Sequence, residues 1–215
     1  MKSHVLGFWL AGSNLLSLLS SNPTIAQIAA DETLIRNTVR QQGNVTVIEA
    51  GTTAGANLYH SFGSFSVPTG ATAFFDNSLD IQNLISRVSG KSTSYIDGII
   101  RASGTANLFL INLNGIVFAQ NARLDVGGSF IGSTADSIKF TDGFEFSARN
   151  PQSTLLLSIN VPVCLQIGQN PGNITVQGAG YDLPVAVPIF TPIIRGSKTN
   201  LQVHLIMQFV QINEV

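Results

Sequence analysis

From residue 43 onward the dominant period of the apolar side chains is two, and residues that favour tight turns interrupt it at short intervals. Side chains two apart share one face of a strand, so this period calls for short strands that each lay a face on a core. Val45/Val47, Phe65/Val67, Ile138/Phe140, Phe144/Phe146 and Ile174/Val176 carry it. The longest instance is Leu155, Leu157, Ile159, Val161, Val163, Leu165 and Ile167, expected to line one core. Pro162 has no ladder donor and is expected to mark a bend or edge within it. Turn signals fall between the strands at Pro68-Thr69-Gly70, Asp97-Gly98, Asn114-Gly115, Gly127-Gly128, Asp142-Gly143, Asn170-Pro171-Gly172 and Gly178-Ala179-Gly180. Asn, Asp and Gly tolerate left-handed backbone angles and Pro presets a turn. Many short strands and many turns give an all-β chain. Sandwich, barrel and β-helix stay open on this evidence. Gly43-Asn44-Val45-Thr46-Val47 recurs as Gly172-Asn173-Ile174-Thr175-Val176, a turn leading into a strand, which is the kind of unit solenoids repeat.

One segment reads two ways. Ile81, Leu84, Ile85 and Val88 have helical spacing, with Asp80 placed as an N-cap and Gly90 as a stop, while Leu84, Ser86 and Val88 also fit one strand face.

Charge excludes several partners. Charged residues make up 11% of the chain, against about a quarter in ordinary domains. Lys plus Arg is 11 and Asp plus Glu 12, so the basic excess of a nucleic-acid binder is missing. Nor is there a Lys/Arg run for a membrane surface. Cys164 is the single cysteine, which rules out an intramolecular disulfide and reads as a small buried apolar side chain. Lys2, the uncharged run Val5 to Leu19 and Thr24-Ile25-Ala26 have the form of a signal peptide, residues 1–26, with cleavage expected before Gln27.

The centre of the chain carries its most specific motif. Leu108 to Ile111 is apolar on both faces and must be covered on both sides. Asn112 and Asn114 then straddle a turn closed by Gly115, and Ile116-Val117-Phe118 restarts as a strand. Here the sequence resembles the haemagglutination-activity domain of filamentous-haemagglutinin-like exoproteins, the exported partners of two-partner secretion, and cyanobacterial members above all. The family's Asn-Pro-Asn-Gly-Ile stands as Asn112-Leu113-Asn114-Gly115-Ile116, with Leu113 in place of proline. Further matches are Asn57-Leu58-Tyr59-His60-Ser61-Phe62, Phe65-Ser66-Val67, residues 81 to 88, Ile96-Asp97-Gly98 and Gly127-Gly128-Ser129-Phe130.

The resemblance implies a right-handed single-stranded parallel β-helix with N-terminal capping strands, over residues 27–202, followed by a divergent or truncated tail, 203–215. It places 81 to 88 on a strand. It implies a non-enzymatic, adhesin-type exoprotein that reaches the cell surface through the Sec pathway and the outer membrane. Its partner would be an outer-membrane β-barrel transporter. Glycans of host or neighbouring cells would be a second partner, and no cofactor is implied. Secretion and recognition residues carried over are Asn107, Asn112, Asn114, Gly115, Ile116 and His60. The asparagines read equally as turn or ladder residues, and His60 as a buried hydrogen-bonded histidine. Arg87, Arg101 and Arg123 read as surface or turn-capping groups.

The rival is a secreted β-helix enzyme acting on polysaccharides. Such sites need converging carboxylates. Asp76, Asp80, Asp97, Asp125, Asp136 and Asp142 are scattered among turn residues, and no zinc spacing or nucleotide fingerprint appears.

Overall fold

A computed structural model describes residues 27–34, 36–151, 157–177 and 205–208 of the chain. The expected leader, Leu155 and the Gly178-Ala179-Gly180 turn lie outside the described residues. Every described element is a strand. β1 (Ala29–Ala30), β2 (Thr38–Gln42), β3 (Val45–Glu49) and β4 (Thr52–Ala54) lead in. β5 (Asn57–Ser64) and β6 (Thr72–Phe75) form a first coil, completed by a bridge at Val67. β7 (Asn83–Val88), β8 (Ser94–Ile96) and β9 (Ile99–Ala102) form the second, and β10 (Asn107–Asn112), β11 (Ile116–Phe118) and β12 (Arg123–Asp125) the third. β13 (Ser129–Ser133) opens a further coil. An excursion of β14 (Ser137–Phe140), β15 (Glu145–Ser147) and β16 (Pro162–Gln166) precedes β17 (Ile174–Val176), and β18 (Leu205–Gln208) comes last.

Corresponding strands of successive coils pair in parallel and build three walls: β5-β7-β10-β13, β8-β11-β17 and β3-β6-β9-β12. The chain therefore winds as a parallel β-helix of stacked coils. Antiparallel strands close its N-terminal end, β1 and β4 on β5 and β2 on β3, as the resemblance implies.

The first wall is buried on both faces, which explains its sequence. Leu58, Leu84, Leu108, Leu110 and Phe130 point into the coil. Tyr59, Ile85 and Ile111 point outward into a second core made with Ile138, Phe140 and Phe146 of the excursion. The Tyr59 ring lies 5.1 Å from that of Phe146. Residues 83 to 88 are thus strand rather than helix. Leu84 and Val88 face in and Ile85 faces out, and their combined spacing imitates a helical stripe.

The alternation at 155–167 does not line one core. Ile159, Val161 and Val163 are 71%, 64% and 58% exposed, and among the described residues of the run only Leu157, Leu165 and Ile167 lean on the outer cluster. The strand part is β16, which pairs antiparallel with β14 at the rim of the excursion sheet, so little covers it. Pro162 opens this edge strand, consistent with its missing donor. Cys164 is exposed there rather than buried. The repeated Gly-Asn pentapeptides both lead into strands, β3 and β17, but in different walls.

Candidate recognition site

Four of the six residues singled out in the sequence meet at one corner of the third coil. Asn112 ends β10 and is fully buried. Its side-chain amide donates to the Ser92 carbonyl at 3.0 Å and to Ser94 Oγ at 2.9 Å. Its Oδ1 accepts from the Asn114 backbone N–H at 3.0 Å. Asn114 Nδ2 donates to the Gly90 carbonyl at 2.7 Å, one coil back. The turn closes through Gly115 N–H to the Asn112 carbonyl at 3.1 Å. Gly115 has φ +117°, and a Cβ there would come within 2.9 Å of the Asn173 carbonyl oxygen, so both backbone angle and space demand glycine. From the next coil, Gly172 N–H donates to the Leu113 carbonyl at 2.8 Å and Ile116 N–H to the Asn173 carbonyl at 3.0 Å. The turn is thus clamped between the coil before it and the coil after it, and Ile116 is fully buried beneath it.

Leu113 sits at the first central position of this turn, where proline is favoured.

Asn107 stands at the opposite end of β10, in a different device. Asn57, Asn83 and Asn107 occupy one register position in β5, β7 and β10. Asn83 Nδ2 donates to Asn57 Oδ1 at 2.9 Å and Asn107 Nδ2 to Asn83 Oδ1 at 3.1 Å. Asn107 Oδ1 accepts from Ser129 N–H at 3.0 Å, and Asn57 Nδ2 donates to the carbonyls of Ser158 and Asn160 at 3.1 and 2.7 Å. This ladder fixes the register of four successive strands. Asn83→Ala leaves a buried acceptor on Asn57 and an amide on Asn107 unpaired, and is expected to cost about 2–4 kcal/mol in chemical denaturation.

His60 lies apart from both, on the inner face of β5. Its ring stacks 6.0 Å from that of Phe62 and meets Phe75 edge-on at 5.4 Å. Nδ1 bonds Asn37 Oδ1 at 2.7 Å, while Nε2 is buried without a partner beside Gly51, where a Cβ would come within 2.9 Å of it. Burial lowers its pKa to about 3, so the ring is neutral at pH 7.

Sequence reasoning missed a further cluster. Arg87 was expected at the surface or on a turn, yet it is 2% exposed. It points to the outer face of β7, where the excursion covers it. Nε donates to Ser61 Oγ at 2.7 Å, Nη1 to the Ser147 carbonyl at 2.8 Å and Nη2 to Thr33 Oγ1 at 2.9 Å. The guanidinium lies over Phe146, 4.2 Å from the ring centroid. Burial lowers Arg87 to about 10, opposed by the charge of Asp31, and it stays cationic at pH 7. Asp31 accepts from Thr33 N–H at 3.0 Å, from Ser61 Oγ at 2.6 Å and from Ser89 Oγ. Its half-burial raises its pKa, but the bonds from Ser61, Ser89 and Thr33 together hold it below the usual carboxylate value. Arg101 does lie at the surface, paired with Asp125 of the next coil at 2.6 Å, and Arg123 is exposed too.

The acids weighed for catalysis have structural partners in several cases. Asp97 accepts from Thr69 Oγ1 and from Asn121 N–H, at 2.9 Å for the latter, so the same corner of three coils is tied together. Asp136 pairs with Arg149, and Asp142 accepts from Ser158 Oγ at 2.7 Å. Among the described residues no group of three His, Cys, Asp or Glu side chains could hold a metal ion.

The family model described as TPS secretion domain matches residues 26–206. Among solved structures, the chain is similar to the HMW1 secretion domain from Haemophilus influenzae, at 24% identity and a TM-score of 0.42, covering 51% of this chain and 28% of that one. The matched part thus spans less than a third of that chain's length. No curated protein matches. With its motif turn clamped between stacked coils and a family match over most of its length, the chain belongs to the TPS secretion domain family, the N-terminal secretion domains of two-partner systems.

Proposed function

We propose that this domain is the export signal of an adhesin-type exoprotein, read by an outer-membrane β-barrel transporter before the β-helix has formed. The observation that carries the timing is burial: Asn112, Ile116 and His60 have almost no accessible surface once folded. A transporter can reach these side chains only in the extended chain. Extended strands are recognised by addition to an exposed sheet edge, and residues 107 to 116, strand and turn in one stretch, suit that mode. After export the coils stack in order, each burying its faces against its neighbour, so folding alone draws the chain outward. The leader 1–26 directs the chain through the Sec pathway, and the product resides at the cell surface or is released from it. Glycan binding to host or neighbouring cells belongs to this reading as the adhesive role.

The test is export of the full chain from a Gram-negative cell with and without a cognate transporter. Protein is expected in the medium only with the transporter, and deletion of residues 107 to 116 is expected to leave it in the periplasm. Unchanged export of the deletion variant overturns the reading.

A further inference from the structure

β18 pairs with β13 antiparallel, with Leu205 opposite Gly132 and Gln208 opposite Ser129. The other edge of β13 carries β10 in parallel. Every strand of this wall from β5 to β10 takes its successor in parallel, so β18 occupies the place where the strand of a next coil would sit. The opposite end of the wall is closed in the same sense, by β1 and β4 running antiparallel to β5. The last strands of the other two walls, β12 and β17, are three residues long, whereas β13 has five. A longer edge presents a longer row of N–H and C=O groups to another chain.

We propose that β18 is a removable edge cover, and that β13, once uncovered, pairs with β13 of a second copy of this chain. The occupant follows from the sequence of the strand and from the direction in which it accepts a partner. A two-fold axis sets identical strands antiparallel, and β13 already accepts β18 in that sense. Read antiparallel about Ile131, the segment Ser129-Phe130-Ile131-Gly132-Ser133 is self-complementary. Ile131 meets Ile131, each Phe130 faces the Gly132 of the other copy, and serines face serines at both ends. The large ring thus lies opposite the one residue without a side chain.

Two single variants of the full chain, Ile206→Pro and Met207→Pro, test this. Neighbouring residues of an antiparallel strand alternate between bonding the partner and pointing away, so only one of the two prolines breaks the bonds of β18 to β13. That variant is expected to double its mass in light scattering and to expose β13 amides to hydrogen exchange when diluted to monomer. The other variant and the parent are expected to stay monomeric with β13 protected. Adding Ile131→Lys, which sets two like charges face to face at the axis, is expected to return the dimer to monomer. So is an excess of a peptide of residues 203–210 supplied in trans. Four results overturn the proposal: a dimeric parent, equal association of both proline variants, association that survives Ile131→Lys, or exposed β13 amides in a variant that remains monomeric.

Discussion

Arg87→Met is expected to lower folding stability by about 3–5 kcal/mol, the usual cost of removing one partner from a buried charge cluster. Methionine keeps the apolar stem against Phe146 but none of the donors. Four parts of the chain lose a shared node: Thr33 of the N-terminal cap, Ser61 of β5, β7 itself and Ser147 of β15. The half-buried Asp31 loses its neutralising charge while Thr33, Ser61 and Ser89 still donate to it. Replacing both charges together, as Asp31→Asn with Arg87→Met, is expected to cost less than the sum of the two single changes, because neither charge is then left alone. Urea denaturation of the three variants measures this. A loss below about 1 kcal/mol for Arg87→Met contradicts a structural role for the cluster.

Acid is expected to weaken the fold through His60 before it reaches the carboxylates. The folded pKa of about 3 lies below the unfolded value of 6.5, so the unfolded chain takes up a proton that the folded chain refuses. Stability is therefore complete above pH 6.5 and falls by about 1.4 kcal/mol for each unit below it, a loss on the order of 4 kcal/mol by pH 3.5. Asp31, Asp97 and Asp142, whose pKa values are lowered in the fold, contribute stability that is lost only as pH falls below their unfolded value of 3.8. The slope between pH 4 and 6.5 belongs to His60 and is expected to flatten in His60→Gln, whatever that change costs in packing. A slope that persists in the variant places the titration elsewhere.

Much of the fold was legible because a strand covered on both faces leaves an uncommon record. Leu108 to Ile111 has no polar side, and the structure fills both sides, with the coil core and with the excursion sheet. The turn at Asn112 to Gly115 was legible for a similar reason, since its backbone requires glycine. Period alone misled at 155–167, where alternation sits on a rim strand with little against it, and at 81–88, where two buried faces add up to a helical spacing. Arg87 was misjudged because its partners Thr33, Ser61 and Ser147 are remote in sequence. The asparagine ladder had left a trace: Asn-Leu followed by a large side chain recurs as Asn57-Leu58-Tyr59, Asn83-Leu84-Ile85 and Asn107-Leu108-Phe109. Its unequal spacing, 26 and then 24 residues, hides it from a search at fixed period.

On the function proposed above, recognition of the motif turn and its stability are coupled. The bonds that pin the turn between adjacent coils leave Asn112 and Ile116 with no accessible surface. A transporter that reads them must compete with folding. Refolding from urea, followed with and without the soluble periplasmic region of a cognate transporter, measures that competition most directly. The predicted result is refolding that slows as the periplasmic region is added, with the unfolding rate unchanged. Slower unfolding with unchanged refolding would mean that the transporter grips the finished β-helix, and would contradict recognition before folding.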